Sequence, residues 1–160
     1  MKQHEKIIQA ANVALNLEAE SELETIAGMF ELVEQSGSVR DVQQLSDDLL
    51  SREIYQRTTT DNCALLFHVS SRSVPHLEIY FGRFAKGIGY YTQAGHPIDL
   101  VFLIVAHPNE IGEFNAVVEK LENALQNPFL RNSFRTVQEK TSIVRQIENI
   151  VSKQTTQTGD

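Results

Sequence analysis

The chain has 160 residues, 41% of them hydrophobic and 22% charged, with a net charge of −7. That length suits one domain with a substantial core rather than two, the composition excludes general disorder, and a negative balance without a basic stripe excludes a protein that coats nucleic acid. The lone cysteine, Cys63, excludes an internal disulfide or a cysteine-rich zinc site, and its apolar neighbours mark it as a packing residue.

No unbroken apolar core of signal-peptide type follows the start, Met1 to Lys6. The expectation is a cytoplasmic protein without membrane insertion, because the longest apolar run, Leu100 to Ala106, is too short to cross a bilayer. Val13-Ala14-Leu15-Asn16-Leu17 alternates like a short edge strand. Ser21 with Glu24 is a capping-box signature. Apolar positions Leu23, Ile26, Ala27, Phe30 and Val33 then repeat at helical spacing, and Gly37 suits a helix stop, so the spacing predicts a helix over 21–36. Val42, Leu45, Leu49 and Leu50 share one face of a second helix, predicted from Asp41 to Tyr55.

The middle of the chain changes period. Cys63 to His68 and Leu77 to Arg83 are short β-prone runs separated by the turn Ser71-Arg72-Ser73-Val74-Pro75. Residues 86–89 and 94–97 carry the glycines and proline of loops. Ile98 to Ala106 is nearly all aliphatic and reads as a strand buried on both faces. Helical spacing returns after Pro108, at Phe114, Val117, Val118, Leu121 and Leu125. Asn127-Pro128 starts a short helix through Phe134, and Thr141 is expected to cap a last helix carrying Ile143, Ile147 and Ile150. One domain is expected over residues 1–151, then a polar tail, 152–160. The order of elements implies an α/β fold, a three-layer α/β/α domain whose central mixed β-sheet is flanked by helices.

His68 is the residue best suited to carry chemistry. A neutral imidazole attacks phosphorus through one nitrogen if its other N–H is held by an acceptor. Arg52, sixteen residues upstream, offers a planar fork of donors for phosphoryl oxygens. An arginine closing a helix and a histidine closing a strand can meet at one rim, where the hydroxyls of Thr58, Thr59 and Thr60 add neutral donors. The same residues also permit a plainer arrangement, with His68 ending a strand and Arg52 paired with Glu53 or solvent. His76, His96 and His4 have weaker positions, and no histidines show the close spacing of common zinc motifs.

Ser51-Arg52-Glu53 and the segment Thr58 to His68 resemble, at matching spacing, the "l.RE" and "sTg.gngvaiPH" segments of enzyme IIA domains. These belong to the fructose/mannitol/nitrogen-regulatory branch of the bacterial sugar phosphotransferase system. Gly37-Ser38-Val39-Arg40-Asp41 and the run Ala94 to Ile104 extend the resemblance along most of the chain. It implies that His68 accepts a phosphoryl group and that Arg52 helps to hold it, with no metal or organic cofactor. The implied partners are a phosphohistidine carrier of the HPr type and then an enzyme IIB or a regulatory target. Phe67 stands where the family has proline, Thr60, Asp61 and Cys63 where it has loop glycines, and Phe114 where it has a second histidine. His107, just before that helix, is a candidate substitute. Phe67 and Phe114 are expected to be exposed and to form part of the carrier-docking surface. The alternative is a degenerate enzyme IIA fold that serves as a protein-binding regulatory module without phosphotransfer.

Overall fold

The computed structural model describes residues 6–51, 64–84, 86 and 98–152, and residues 57–59 by their backbone. Five strands, β1 (Val13–Leu17), β2 (Arg57–Thr59), β3 (Ala64–Ser70), β4 (Glu78–Phe84) and β5 (Leu100–Ala106), form one sheet in the order β1-β4-β5-β3-β2. The sheet is mixed: β1 with β4 and β3 with β5 are parallel, while β4 with β5 and β2 with β3 are antiparallel. Helices α1 (Glu22–Ser36) and α2 (Val42–Leu50) cover one face, and α3 (Ile111–Ala124), α4 (Pro128–Thr136) and α5 (Lys140–Ser152) cover the other. The expected three layers are therefore present, with β1 at an edge as its alternation indicates.

Local chemistry sets the helix ends. The Ser21 hydroxyl oxygen accepts the Glu24 amide at 3.2 Å, and the Glu24 carboxylate accepts the Glu20 amide at 2.8 Å. That is a capping box whose return bond reaches one residue further back than usual. Gly37 closes α1 with φ +76°, a left-handed conformation that glycine adopts without steric cost. Asp41 caps α2 through the Gln44 amide, so the helix proper begins at Val42; its expected continuation over 52–55 lies outside the described residues. α5 begins at Lys140, so Thr141 lies inside its first turn and is not the cap. The helix runs through Ser152, one residue into the expected tail, and 153–160 lie outside the described residues.

Strand alternation divides the core in two. Leu100, Phe102, Ile104 and Ala106 of β5 face α3–α5, while Val101, Leu103 and Val105 face α1 and α2, and every residue of the strand is buried. In β3, Ala64 and Leu66 face α3–α5, whereas Leu65, Phe67 and Val69 face α1 and α2. At about 1.5–3 kcal/mol per buried large aliphatic or aromatic side chain, these two dry faces make the β3–β5 pair a rigid support for what lies at its rim.

Candidate active site

β3 and β5 run parallel with His68 opposite Ile104 and Ser70 opposite Ala106, so their carboxyl ends open at the same rim. The crevice beyond the carboxyl ends of strands is where α/β sheets bind ligands. His68 is the fifth of the seven residues of β3, so the strand continues two residues past its expected end. The imidazole is half-buried. Its ring meets Phe114, the fourth residue of α3, with centroids 6.1 Å apart and planes inclined at 59°. Phe114 thus occupies the first turn of its helix and faces His68, the place expected of it as the stand-in for a histidine.

The docking surface expected from Phe67 and Phe114 is not formed. Phe67 is 1% exposed and Phe114 3%. Phe67 points into the α1–α2 core, on the opposite side of the sheet from the Phe114 ring that His68 meets. Neighbours in a strand point to opposite faces, so residues 67 and 68 cannot share a surface. Phe114 remains beside His68, but as a dry wall rather than a docking patch.

Arg52 and Thr60 lie outside the described residues. Thr58 and Thr59 stand in β2, their backbones opposite Leu66 and Leu65. His107 follows β5 and precedes the 3-10 turn Pro108–Glu110; its Nδ1 accepts the Asn109 N–H at 3.2 Å. With Nδ1 occupied as an acceptor, the neutral ring carries its proton on Nε2 and presents a donor there.

An open cleft of about 580 Å³ lies at this rim, lined by Ser51, Ser70 and Pro108 among others. These three adjoin Arg52, His68 and His107 in sequence: Ser51 precedes Arg52, Ser70 lies two residues beyond His68, and Pro108 follows His107. Asp48 braces the cleft wall, accepting the Ser71 hydroxyl at 2.5 Å and the Gln44 amide nitrogen at 2.8 Å. The Ser71 amide donates to the Ala106 carbonyl at 2.9 Å, tying the end of β3 to the end of β5. Among the described residues no three His, Cys, Asp or Glu side chains gather as a metal site, and no helix is long and apolar enough to cross a membrane.

Residues 6–150 match the family model of the phosphoenolpyruvate-dependent sugar phosphotransferase system, EIIA 2. The chain belongs to that family. Among curated proteins, the chain is 23% identical over 139 residues to the fructose-specific EIIABC component of the phosphotransferase system of Bacillus subtilis (strain 168), covering 87% of this chain but 22% of that protein's length. The fold is also that of the nitrogen regulatory protein IIA-Ntr from Neisseria meningitidis, with TM-score 0.77 and 21% identity over 91% of this chain and 97% of that one. IIA mannitol from Escherichia coli superposes with TM-score 0.68 and 20% identity, covering 87% and 97% of the two chains. The same enzyme in complex with phosphorylated enzyme IIB superposes with TM-score 0.69 at 18% identity, covering 89% and 99%.

His76, the histidine that follows a proline, is not among the residues that meet His68 or line this cleft. It precedes β4, with Nδ1 3.1 Å from the Leu77 carbonyl and Nε2 3.5 Å from the Glu78 carboxylate. Sequence reasoning missed Asp48 and Ser71. Both come to the rim through pairings between distant elements, for which a single sequence carries no signal.

Proposed function

We propose that this EIIA-type domain is a phosphoryl carrier that accepts phosphate on His68 from a phosphohistidine carrier of the HPr type. It then passes the group to an enzyme IIB or signals through its phosphorylation state. The observation that supports this reading is the His68–Phe114 contact at the rim of the β3–β5 pair, in a chain that matches the EIIA 2 family model over residues 6–150; Phe114 stands where the sequence resemblance puts a second histidine. In the transfer, a lone pair of His68 forms the new P–N bond as the carrier's P–N bond breaks. The breaking bond leaves its electron pair on the carrier's imidazole. No organic or metal cofactor enters, because the work consists of aligning two rings and holding charge on the moving group.

Arg52 is assigned the equatorial phosphoryl oxygens, with the hydroxyls of Thr58, Thr59 and Thr60 as neutral donors. His107 is assigned a further donation through Nε2. The buried phenyl of Phe114 supplies no donor, which favours slow transfer and also keeps open a second reading, a regulatory module that binds a partner without being phosphorylated. Incubation with phosphoenolpyruvate, enzyme I and the carrier, followed by intact mass measurement, separates the two. The first predicts an added phosphoryl group, labile to acid, that is lost in His68→Ala and kept in His76→Ala. Equal labelling of wild type and His68→Ala rejects the assignment.

A further inference from the structure

We propose that the cleft at the carboxyl end of β3 is a subsite for a phosphoryl group, taken by the guanidinium of Arg72 and the hydroxyl of Ser70. Arg72 lies beyond the motif segment that ends at His68, and neither the resemblance nor the family match assigns it a role. The subsite depends on the cleft and its charges and not on phosphorylation of His68.

Three elements line the cleft. Gln44, Asp48 and Ser51, spaced at i, i+4 and i+7, come from one face of α2 and its C-cap. Pro108 lines it beyond the end of β5, and Ser70 is the last residue of β3. Ser70 and His68 are two apart in that strand and share a face, so the Ser70 position stands about 7 Å along the strand from that of His68. Arg72 lines the same cleft from the turn that follows.

Hydrogen bonds fix the turn that presents Arg72. The Val74 amide donates to the Ser71 carbonyl at 3.2 Å, closing a β-turn with Arg72 and Ser73 at its centre. The Ser73 amide donates to Ser71 Oγ at 3.2 Å, while Ser71 itself is tied to Ala106 and to Asp48. Ser71 and Val74 are buried and Arg72 between them is exposed. An anchored base therefore carries one long cationic side chain, and less freedom is lost on binding than in a loose loop.

The charges in the cleft leave that cation available. Asp48 is the carboxylate that lines it, and both its oxygens are engaged, Oδ2 by the Ser71 hydroxyl and Oδ1 by the Gln44 amide nitrogen. Among the described residues Arg72 has no hydrogen-bond or ion-pair partner, and the Ser70 hydroxyl has no hydrogen-bond partner. A guanidinium presents a planar fork that fits two oxygens of a phosphoryl group side by side, and the hydroxyl is left for a third. A carboxylate has no third oxygen. The Asp48 charge opposes an anion in the cleft and keeps binding weak, which suits a group held briefly and passed on.

The test is a titration with inorganic phosphate at constant ionic strength, followed by the backbone amide resonances of Ser51 and of Ser70 to Ser73. It is run on the wild type, Arg72→Ala, Arg72→Lys, Asp48→Asn and His68→Ala. The wild type should show saturable shifts. Arg72→Ala should weaken binding about ten- to hundredfold, the loss expected for charge-assisted hydrogen bonds, and Arg72→Lys should weaken it less. Asp48→Asn removes the opposing charge, keeps an oxygen for Ser71, and should tighten binding. His68→Ala should retain it. The proposal is overturned by a wild type without saturable shifts, by shifts that persist in Arg72→Ala or vanish in His68→Ala, or by acetate acting as well as phosphate. Arg72-dependent phosphate binding in a protein that takes no phosphoryl group from the carrier sustains the subsite and removes the phosphotransfer reading. A labelled His68 without a phosphate response in the cleft does the reverse.

Discussion

Replacing Phe114 with histidine tests the site at its most distinctive position. The phenyl ring is 3% exposed and its centroid lies 6.1 Å from that of His68, within the roughly 4.5–7 Å range of touching rings. An imidazole in its place keeps the shape and puts a ring N–H at the edge of the space that a phosphoryl group on His68 would fill. One charge-assisted hydrogen bond is worth about 1.5–3 kcal/mol. If it forms only as charge develops in the transition state, the transfer rate rises roughly ten- to hundredfold. The cost appears elsewhere: in the resting protein the new polar atoms are buried without that partner, which lowers stability by about 1–3 kcal/mol. For a chain of this size that is a fall in Tm of roughly 2–12 °C. The assay is single-turnover transfer from the radiolabelled carrier, quenched at alkaline pH, with Phe114→Leu as an apolar control. A rate for Phe114→His equal to that of wild type and Phe114→Leu would refute the placement of residue 114 beside the phosphoryl group.

Two further substitutions follow from the burial pattern. Phe67→Pro, which makes this position resemble the family motif, should destabilise by about 3–5 kcal/mol, because it empties a phenyl site in the α1–α2 core; a urea midpoint unchanged from wild type would contradict that burial. Tyr80 donates to the Glu78 carboxylate at 2.7 Å and lies 3.0 Å from the Ser36 hydroxyl, so Tyr80→Phe should cost about 1–3 kcal/mol. Burial first, and then the Glu78 charge, hold the Tyr80 phenol well above its usual 10.0. The unfolded chain therefore releases this proton while the folded chain keeps it. Stability should fall by about 1.4 kcal/mol per pH unit above roughly pH 10 from this group alone, and urea titrations of Tyr80→Phe at rising pH should lack that component.

The fold was legible in the sequence because each element carries its own period and punctuation. Ser21, Gly37, Asp41 and Asn127 all stand at helix ends where their side chains or backbone demand it. The aliphatic run of β5 is buried on both faces as its composition requires. The site was legible where it depends on spacing, as in Phe114 meeting His68 across two distant elements. It was misread at Phe67, where two-residue alternation already separates it from His68 and the resemblance drew both to one surface. Thr141 failed for a smaller reason, since a residue with good capping chemistry can equally occupy the first turn. The pairing of Asp48 with Ser71 had no signal at all, because a hydrogen bond between distant elements is a property of packing around a side chain and not of its identity.

The position of β5 has a consequence for how the molecule breathes. It is paired along its length with β3 on one side and β4 on the other, with apolar layers above and below. Its amides can exchange with deuterated water only when the sheet as a whole comes apart, so their exchange reports the global unfolding free energy. β2, three residues long, is paired among the described residues with β3 and stands last in the strand order. His68 lies on the adjoining strand, which is paired with β5 along its whole length and with β2 at Leu65, Leu66 and Phe67. A partner arriving at the rim therefore meets His68 on a strand that opens only together with the β5 ladder.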